Sequence, residues 1–202
     1  MKKLSIGFRF GLSLLLLSSM LTSCGLQSIP QAKNGVEAAL AETTNQYKRR
    51  SDLIPNLVNV VKGYAAHEQD TLTKVTEARA KATSVSVDAG SLSPEKLKEY
   101  MAAQGQLSQA LGRLMVVSEK YPDLKANENF RDLSAQLEGT ENRITIARQR
   151  YIESIKGFND LITVPPTSFT NSFYYHFEKM PQWTVDEAEK AQIETAPKVE
   201  FK

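Results

Sequence analysis

The feature that most constrains the fold is a stripe of mostly apolar and aromatic residues, repeated at alternating steps of four and three. Its members are Val36, Leu40, Thr43, Tyr47, Arg50, Ile54, Leu57, Val61 and Tyr64. A period of 3.5 residues is typical of an α-helix that packs against neighbouring helices at shallow angles. The stripe therefore predicts a long amphipathic helix and, with it, a helical bundle.

The first helix is predicted to continue beyond this stripe, because Leu72, Val75 and Ala78 extend the apolar pattern. One element would then reach about residue 82. Pro55 lies inside it and removes the amide that would bond to the carbonyl four residues earlier. Since the stripe keeps its phase across the proline, we expect a kink there rather than a break with a new helix capped by residue 51 or 52.

Two more long helices follow. Ser93, with a proline directly after it, is a typical N-cap of a helix that ends at Tyr121, before the next proline. The third helix is predicted from near Asn127 to the pair of prolines that begins at Pro165. Short connections make neighbouring helices antiparallel. The predicted fold is all-α, an antiparallel up-and-down bundle of three long helices with the first kinked at Pro55, followed by a short aromatic helix.

The first 23 residues are predicted to be a secretion signal. Lys2, Lys3 and Arg9 precede an apolar run of 12 residues, from Phe10 to Leu21, and small residues follow. A membrane-spanning helix needs about 20 apolar residues, so this run is short for one. The alternative is an N-terminal membrane anchor that remains uncleaved.

The residues around Cys24 resemble the lipobox of bacterial lipoproteins, since Leu21, Thr22 and Ser23 precede this single cysteine. The resemblance implies that Cys24 becomes the lipidated N-terminus, and acyl chains on its sulfur and amine would anchor the protein stably on a bacterial membrane. Gly25 rather than aspartate follows, which favours the outer membrane facing the periplasm in a Gram-negative envelope. In other bacteria the expected location is the outer face of the cell membrane.

The expected domain organisation follows from these segments. Residues 1–23 form the signal, 24–35 a tether, 36–180 the helical bundle and 181–202 an extended tail. The tail is rich in acids and is expected to be solvated.

The C-terminal part is aromatic, with seven of the 16 aromatic residues after Pro165. A spacing of four predicts that Phe169, Phe173 and Phe177 share one face of a short helix. We expect this face to close the open side of the bundle. The alternative is an exposed patch for a partner or a lipid interface, whose candidate residues are Phe169, Phe173, Tyr174, Phe177 and Trp183.

A polar residue in the apolar stripe suggests an interhelical network. Arg50 lies on the seam of the first helix, and a buried arginine must be paired. We expect Arg49 or Arg50, with Asp52, to meet polar residues of the third helix and to fix the register around Pro55. The alternative is that Arg50 extends to solvent. The candidates on the third helix are Glu141, Asn142 and Arg148.

No catalytic, metal-binding or cofactor-binding pattern is recognisable. His67 and Glu68 begin a zinc-protease motif, but Thr71 stands where its second histidine belongs. The sequence also lacks a Gly-rich phosphate loop and a Gly-x-Ser-x-Gly elbow. The formal charge of +2 includes three basic residues of the predicted signal, so 22 basic and 23 acidic residues remain, and nucleic acid is not an expected partner.

Several segments resemble the LemA family of bacterial envelope proteins. They read RRSDLIPNLV at 49–58, VKGYAAHE at 61–68, YPDLKAN at 121–127, LEGTENRI at 137–144, ARQRY at 147–151 and PKVEF at 197–201. The resemblance implies an exported, N-terminally tethered helical bundle without an established enzymatic activity. Members commonly carry an uncleaved N-terminal membrane helix, whose place a lipobox takes here.

The expected function is that of a non-catalytic, membrane-tethered protein of the cell envelope that acts through protein–protein interaction with unidentified envelope proteins. Two alternatives remain. The bundle could assemble with itself into a homo-oligomer that organises the membrane, or it could be an accessory subunit of an envelope enzyme.

Overall fold

The computed structural model describes residues 6–87 and 93–182, with the side chains from Leu26 onward. Within these ranges every regular element is helical, which confirms the predicted all-α fold. The elements are α1 (Ile6–Tyr64), α2 (Gln69–Ser84), α3 (Pro94–Ser118), α4 (Pro122–Ala126), α5 (Glu128–Thr163), α6 (Thr167–Thr170) and a π-helical turn (Asn171–Tyr175).

The prediction of one helix to about residue 82 is wrong, because α1 ends at Tyr64. The amide of Glu68 donates to the carbonyl of Ala65 over 3.1 Å in a tight turn, and α2 then begins. Leu72 and Val75 of α2 belong to the same apolar core as residues of α1. The apolar period survives the turn because both helices face one core, so the period alone did not reveal the break.

Helix α1 passes through Pro55 without ending, so the alternative of a new helix capped by residue 51 or 52 is wrong. Proline has no N–H, and the carbonyl of Ser51 therefore lacks its helical donor. The Nε of Arg79, on α2, donates to that carbonyl over 2.8 Å. This bond also shows that α2 folds back alongside α1.

Side-chain caps fix two helix starts where the sequence predicted them. The hydroxyl of Ser93 accepts the amide of Lys96 over 3.2 Å at the start of α3. The side-chain oxygen of Asn127 accepts the amide of Phe130 over 3.0 Å at the start of α5. Each cap satisfies a backbone donor that the helix itself leaves free.

The described residues fall into two compact units. The first unit combines the chain up to Asn45 with Ile144–Met180. The second contains Gln46–Arg143. Its core draws on α1 to α5, with buried residues that include Ile54, Leu57, Val61, Leu72, Val75, Leu107, Leu114, Leu124, Phe130 and Leu137.

The predicted tether of residues 24–35 is packed from Ile29 onward. The described residues of this stretch lie in α1, and the side chain of Ile29 is 0% exposed. Ile29 precedes Val36 by seven residues and so extends the same apolar stripe by one heptad. The first unit therefore begins earlier than the sequence predicted.

The aromatic segment does not form the predicted helix. Helix α6 has only four residues, and the π-helical turn that follows ends at His176, whose φ is 55°. The amide of His176 donates to the carbonyl of Asn171, five residues back, over 2.8 Å. This wider winding breaks the spacing of four, so Phe169 and Phe173 are exposed and Phe177 alone packs inward, 6.0 Å from the ring of Phe158.

Three predictions lie outside the described residues: the side chain of Cys24, Trp183, and most of the tail over 181–202. Across the part of the chain that the structure describes, no helix combines the length and apolar character required to span a membrane.

Candidate functional site

The candidate site is a buried arginine in the second unit. Arg50 lies on the apolar stripe of α1, and only 1% of its surface is exposed. Its Nη1 donates to Oγ of Ser108 over 2.7 Å and to Oε2 of Glu141 over 2.9 Å. Its Nη2 donates to Oε1 of Gln104 over 2.8 Å. The arginine thus joins α1 to α3 and α5.

The ion pair is asymmetric in burial. The side chain of Arg50 is 2% exposed, whereas that of Glu141 is 49% exposed. Glu141 therefore retains part of its hydration while it compensates the buried cation. Loss of one partner from a buried pair typically costs about 3–5 kcal/mol, because the other charge stays buried without compensation.

Gln104 holds the arginine from a second side. Its Nε2 donates to the carbonyl of Ala82, near the end of α2, over 3.1 Å. This bond orients the amide so that Oε1 faces Arg50. The backbone carbonyl of Gln104 also accepts from Nη2 of Arg50 over 3.2 Å. Four helices therefore meet through two polar side chains.

Two tyrosines cover the guanidinium. The ring centroid of Tyr47 lies 5.0 Å from Cζ of Arg50, at a distance suitable for a cation–π contact. Tyr100 meets Tyr47 edge to face, with centroids 5.6 Å apart and planes at 86°. Burial, with a smaller contribution from Tyr47, raises the pKa of Tyr100 above that of an exposed tyrosine, while Arg50 opposes the shift. Its phenol stays protonated at neutral pH.

A cavity of about 390 Å³ borders the arginine. Its lining includes Leu111, Met115 and Leu137, with Glu138 and the Arg50–Glu141 pair. Among the described residues, the Nε of Arg50 has no hydrogen-bond partner. The cavity combines apolar walls with two carboxylates, and both glutamates are exposed.

The structure assembles only part of the predicted network. Arg50 and Glu141 meet, whereas Arg49 is exposed and Asp52 pairs with Lys48, one turn away on α1, over 2.9 Å. Asn142 is also exposed. Arg148 belongs to the first unit and is half-buried.

Sequence reasoning missed Gln104 and Ser108 as partners of Arg50. A signal for Gln104 was present, since it occupies a position of the apolar stripe of α3 and is buried. Ser108 lies one turn later on the same helix. A polar residue on each of two facing stripes is the pattern that indicates such a pair.

The aromatic candidates that the structure describes lie in the C-terminal part of the first unit. Phe169, Phe173 and Tyr174 are exposed in the first unit, and Phe177 is half-buried there. Among the side chains that the structure describes, no cluster of histidine, cysteine or acidic residues could hold a metal ion.

Comparison with known proteins gives one family and several relatives. The sequence matches the LemA family over residues 39–201. Protein LemA of Metamycoplasma hominis is 28% identical over 64% of this chain and 56% of its own length. Magnetosome protein MamQ of Magnetospirillum gryphiswaldense is 28% identical over 69% of this chain and 61% of its own length. Magnetosome protein MamQ 2 of Paramagnetospirillum magneticum is 27% identical over 60% and 51%. The matches thus span little more than half the length of these relatives.

Proposed function

The chain belongs to the LemA family, and on that premise we propose that it is a lipid-anchored, non-catalytic helical protein of the bacterial cell envelope that acts through contacts with another envelope protein. Its anchor would be Cys24. Its location would be the periplasmic face of the outer membrane in a Gram-negative cell, or the outer face of the cell membrane otherwise.

The order of residues before the packed region supports the anchor. A basic start, the apolar run from Phe10 to Leu21 and the small residues before Cys24 follow one another as in a lipoprotein signal. The first buried side chain among the described residues is that of Ile29, only five positions after the cysteine. Cleavage before Cys24 would leave the packed stripe of α1 intact.

The Arg50 cluster supports a non-catalytic role and is the observation that carries this part of the proposal. A guanidinium stays protonated in proteins, so Arg50 is a fixed cation rather than a proton donor or acceptor. Both of its terminal nitrogens bond to protein groups on α3 and α5. The most strongly buried charge is therefore used to join helices, a role in which polar networks fix one packing arrangement.

The cavity beside Arg50 supports a protein contact. Its apolar wall of Leu111, Met115 and Leu137 would accept an apolar side chain. Glu138 and Glu141 would attract a lysine or arginine next to that side chain, since complementary charge favours encounter and register. The partner surface proposed for this cavity is thus apolar with a basic flank.

The anchor is tested by substitution of the cysteine. The Cys24→Ser variant should leave the membrane fraction after a high-salt wash, and mass spectrometry of the wild type should detect acyl chains on Cys24. Gln27→Ser introduces the same residue at an exposed position nearby and should remain membrane-bound. Retention of the Cys24→Ser variant to the same degree as wild type would rule out lipid anchoring.

The protein contact is tested by in-cell crosslinking with mass spectrometry. Glu138→Lys should reduce crosslinks to a specific partner by about tenfold, which corresponds to the loss of a favourable charge pair. Glu153→Lys, a charge reversal on the exposed part of α5 in the first unit, should leave them unchanged. Crosslinks between copies of this chain alone would instead favour a self-assembling, membrane-organising protein, and equal effects of both variants would refute the cavity as the contact.

A further inference from the structure

The first unit carries a concentrated patch of exposed aromatic side chains. It lies in the segment 167–177, called here the aromatic turn, which combines α6 and the π-helical turn. Phe169 is 61% exposed, Phe173 is 76% exposed and Tyr174 is 70% exposed. Val164, just before this turn, is also exposed. Exposed apolar groups of this size in one short segment mark an interaction surface.

The aromatic turn is fixed against the beginning of the described part of α1. The hydroxyl of Tyr175 donates to the carbonyl of Leu26 over 2.7 Å. The ring of Tyr175 stacks on that of Phe177, with centroids 5.3 Å apart, and Nζ of Lys33 lies 5.2 Å from the Phe177 centroid. These contacts place the exposed rings beside the N-terminal end of the packed chain.

Four further hydrogen bonds make the turn a defined structure rather than a loose loop. The side-chain oxygen of Asn171 accepts the amide of Phe177 over 3.0 Å, and its Nδ2 donates to the carbonyl of the same residue. Asn159 of α5 exchanges two similar bonds with the backbone of Met180. The C-terminal half of the turn is therefore held by Asn171, and the residues that follow it by Asn159.

The lipid attachment proposed above lies next to this patch. Cys24 precedes Leu26 by two residues on the same helix, which is about 3 Å along the helix axis. Leu26 is itself exposed and touches the aromatic turn through Tyr175. Acyl chains on Cys24 would consequently enter the bilayer close to Phe173 and Tyr174.

The distribution of charge suits a lipid surface better than a charged protein surface. No aspartate, glutamate, lysine or arginine occurs from Cys24 to Ala32 or from Leu161 to Phe177, in a chain that is 24% charged. The two uncharged segments are those that meet at the Tyr175–Leu26 bond. Lys33 follows the first segment directly, whereas Glu178 and then Lys179 follow the second, and the two lysines could face anionic headgroups.

From this geometry we infer that the aromatic turn inserts Phe169, Phe173 and Tyr174 into the interface of the same bilayer that holds Cys24. Aromatic side chains favour the headgroup region, where an apolar ring and a polar tip are both accommodated. The inference rests on the proposed membrane attachment and adds a second contact to it. The acyl chains on Cys24 would already hold the protein on the bilayer, and the second contact would fix its orientation there.

The test uses the full, lipidated chain in vesicles of phosphatidylethanolamine and phosphatidylglycerol. A nitroxide is attached to Phe173→Cys, where the new thiol is the free one because the sulfur of Cys24 carries lipid. Ile146→Cys is the matched control, since Ile146 is an exposed apolar residue of the same unit, 18 positions before Val164 on the chain and about 27 Å away along a helix. Collision rates with oxygen and with a water-soluble nickel complex are then compared.

The expected result is a collision rate with oxygen several times higher than with the nickel complex at position 173, and the reverse at position 146. Equal, water-like rates at both positions would overturn the inference if mass spectrometry shows acylated Cys24 and the protein floats with the vesicles. Absence of the acyl groups and of flotation would instead refute the proposed attachment. Shielding at position 173 that appears only after addition of envelope proteins would assign the patch to a protein partner and would likewise overturn the inference.

Discussion

The side chain of Arg79 donates a hydrogen bond from Nε to the backbone carbonyl of Ser51 over 2.8 Å, and so supplies the donor that Pro55 removes from α1. Ser51 is buried, so without this bond its carbonyl would have neither a helical N–H donor nor water as a hydrogen-bond partner. A residue of α2 therefore completes the hydrogen bonding of α1. This relationship explains how a proline is accommodated inside a 59-residue helix.

Replacement of Arg79 by methionine should lower the free energy of unfolding by about 1–3 kcal/mol, because it leaves the Ser51 carbonyl unpaired. In a Pro55→Ala background the helix regains its own donor, and the same replacement should cost clearly less. Urea denaturation of the four combinations, followed by circular dichroism, measures this coupling. Arg131→Met, at an exposed position of α5, is the control, and additive effects of the two changes would contradict the explanation.

Replacement of Arg50 by methionine should destabilise the second unit by about 1–3 kcal/mol, because the buried amide oxygen of Gln104 loses its donor while the half-exposed Glu141 can be hydrated. Lysine should restore little of this loss, since it cannot present two separate nitrogens to Ser108, Gln104 and Glu141 at once. Thermal unfolding measures both changes. Arg49→Met, at the exposed neighbouring position, should stay within about 0.5 kcal/mol of wild type. Equal effects at positions 49 and 50 would show that the network contributes nothing.

Stability should fall as the pH rises above about 10, where an unfolded tyrosine begins to ionise. Burial raises the pKa of Tyr151 to about 12. Because the folded state holds this proton more tightly than the unfolded state, the contribution is complete below pH 10 and is lost up to about pH 12, at a slope of at most about 1.4 kcal/mol per pH unit. Tyr151→Phe should flatten the fall in melting temperature between about pH 10 and 12. An unchanged slope in this variant would contradict the assignment.

Replacement of Ile29 by alanine should destabilise the first unit by about 2–5 kcal/mol, as is usual for truncation of a fully buried isoleucine. The matched change Leu26→Ala, three residues earlier at an exposed position, should have little effect. Chemical denaturation of the two variants decides between a packed helix and a mobile tether. A stability of Ile29→Ala within about 0.5 kcal/mol of wild type would favour the tether.

The sequence predicted the helical class because heptad spacing and caps are local properties. Ser93 caps its helix as expected, Asn127 caps the helix that was predicted to begin near it, and Arg50 pairs with Glu141 because a buried cation requires a counter-charge. The turn after Tyr64 escaped prediction since α2 continues the apolar period of α1 against one core. Gln104 and Ser108 contact Arg50 from another helix. Which residues of two helices meet depends on their register, which a single sequence leaves open.

The aromatic turn escaped prediction for a different reason. A spacing of four residues indicates a shared face only if the winding is α-helical, and here the bond from His176 to Asn171 spans five residues. Asn171 then closes the turn through its side chain. The choice between α-helical and π-helical winding is decided here by the buried side-chain amide of Asn171 rather than by a pattern along the chain.

The buried side chain of Ile29 limits how far the first unit could travel from an anchor at Cys24. The twelve residues 24–35 of the predicted tether would reach about 40 Å when extended, whereas the five residues 24–28 before Ile29 reach about 17 Å even when fully stretched. Because accessible volume grows with the cube of reach, the shorter link would confine the protein to a space about 13 times smaller. Partners would then be recruited from the membrane surface itself rather than from across the compartment.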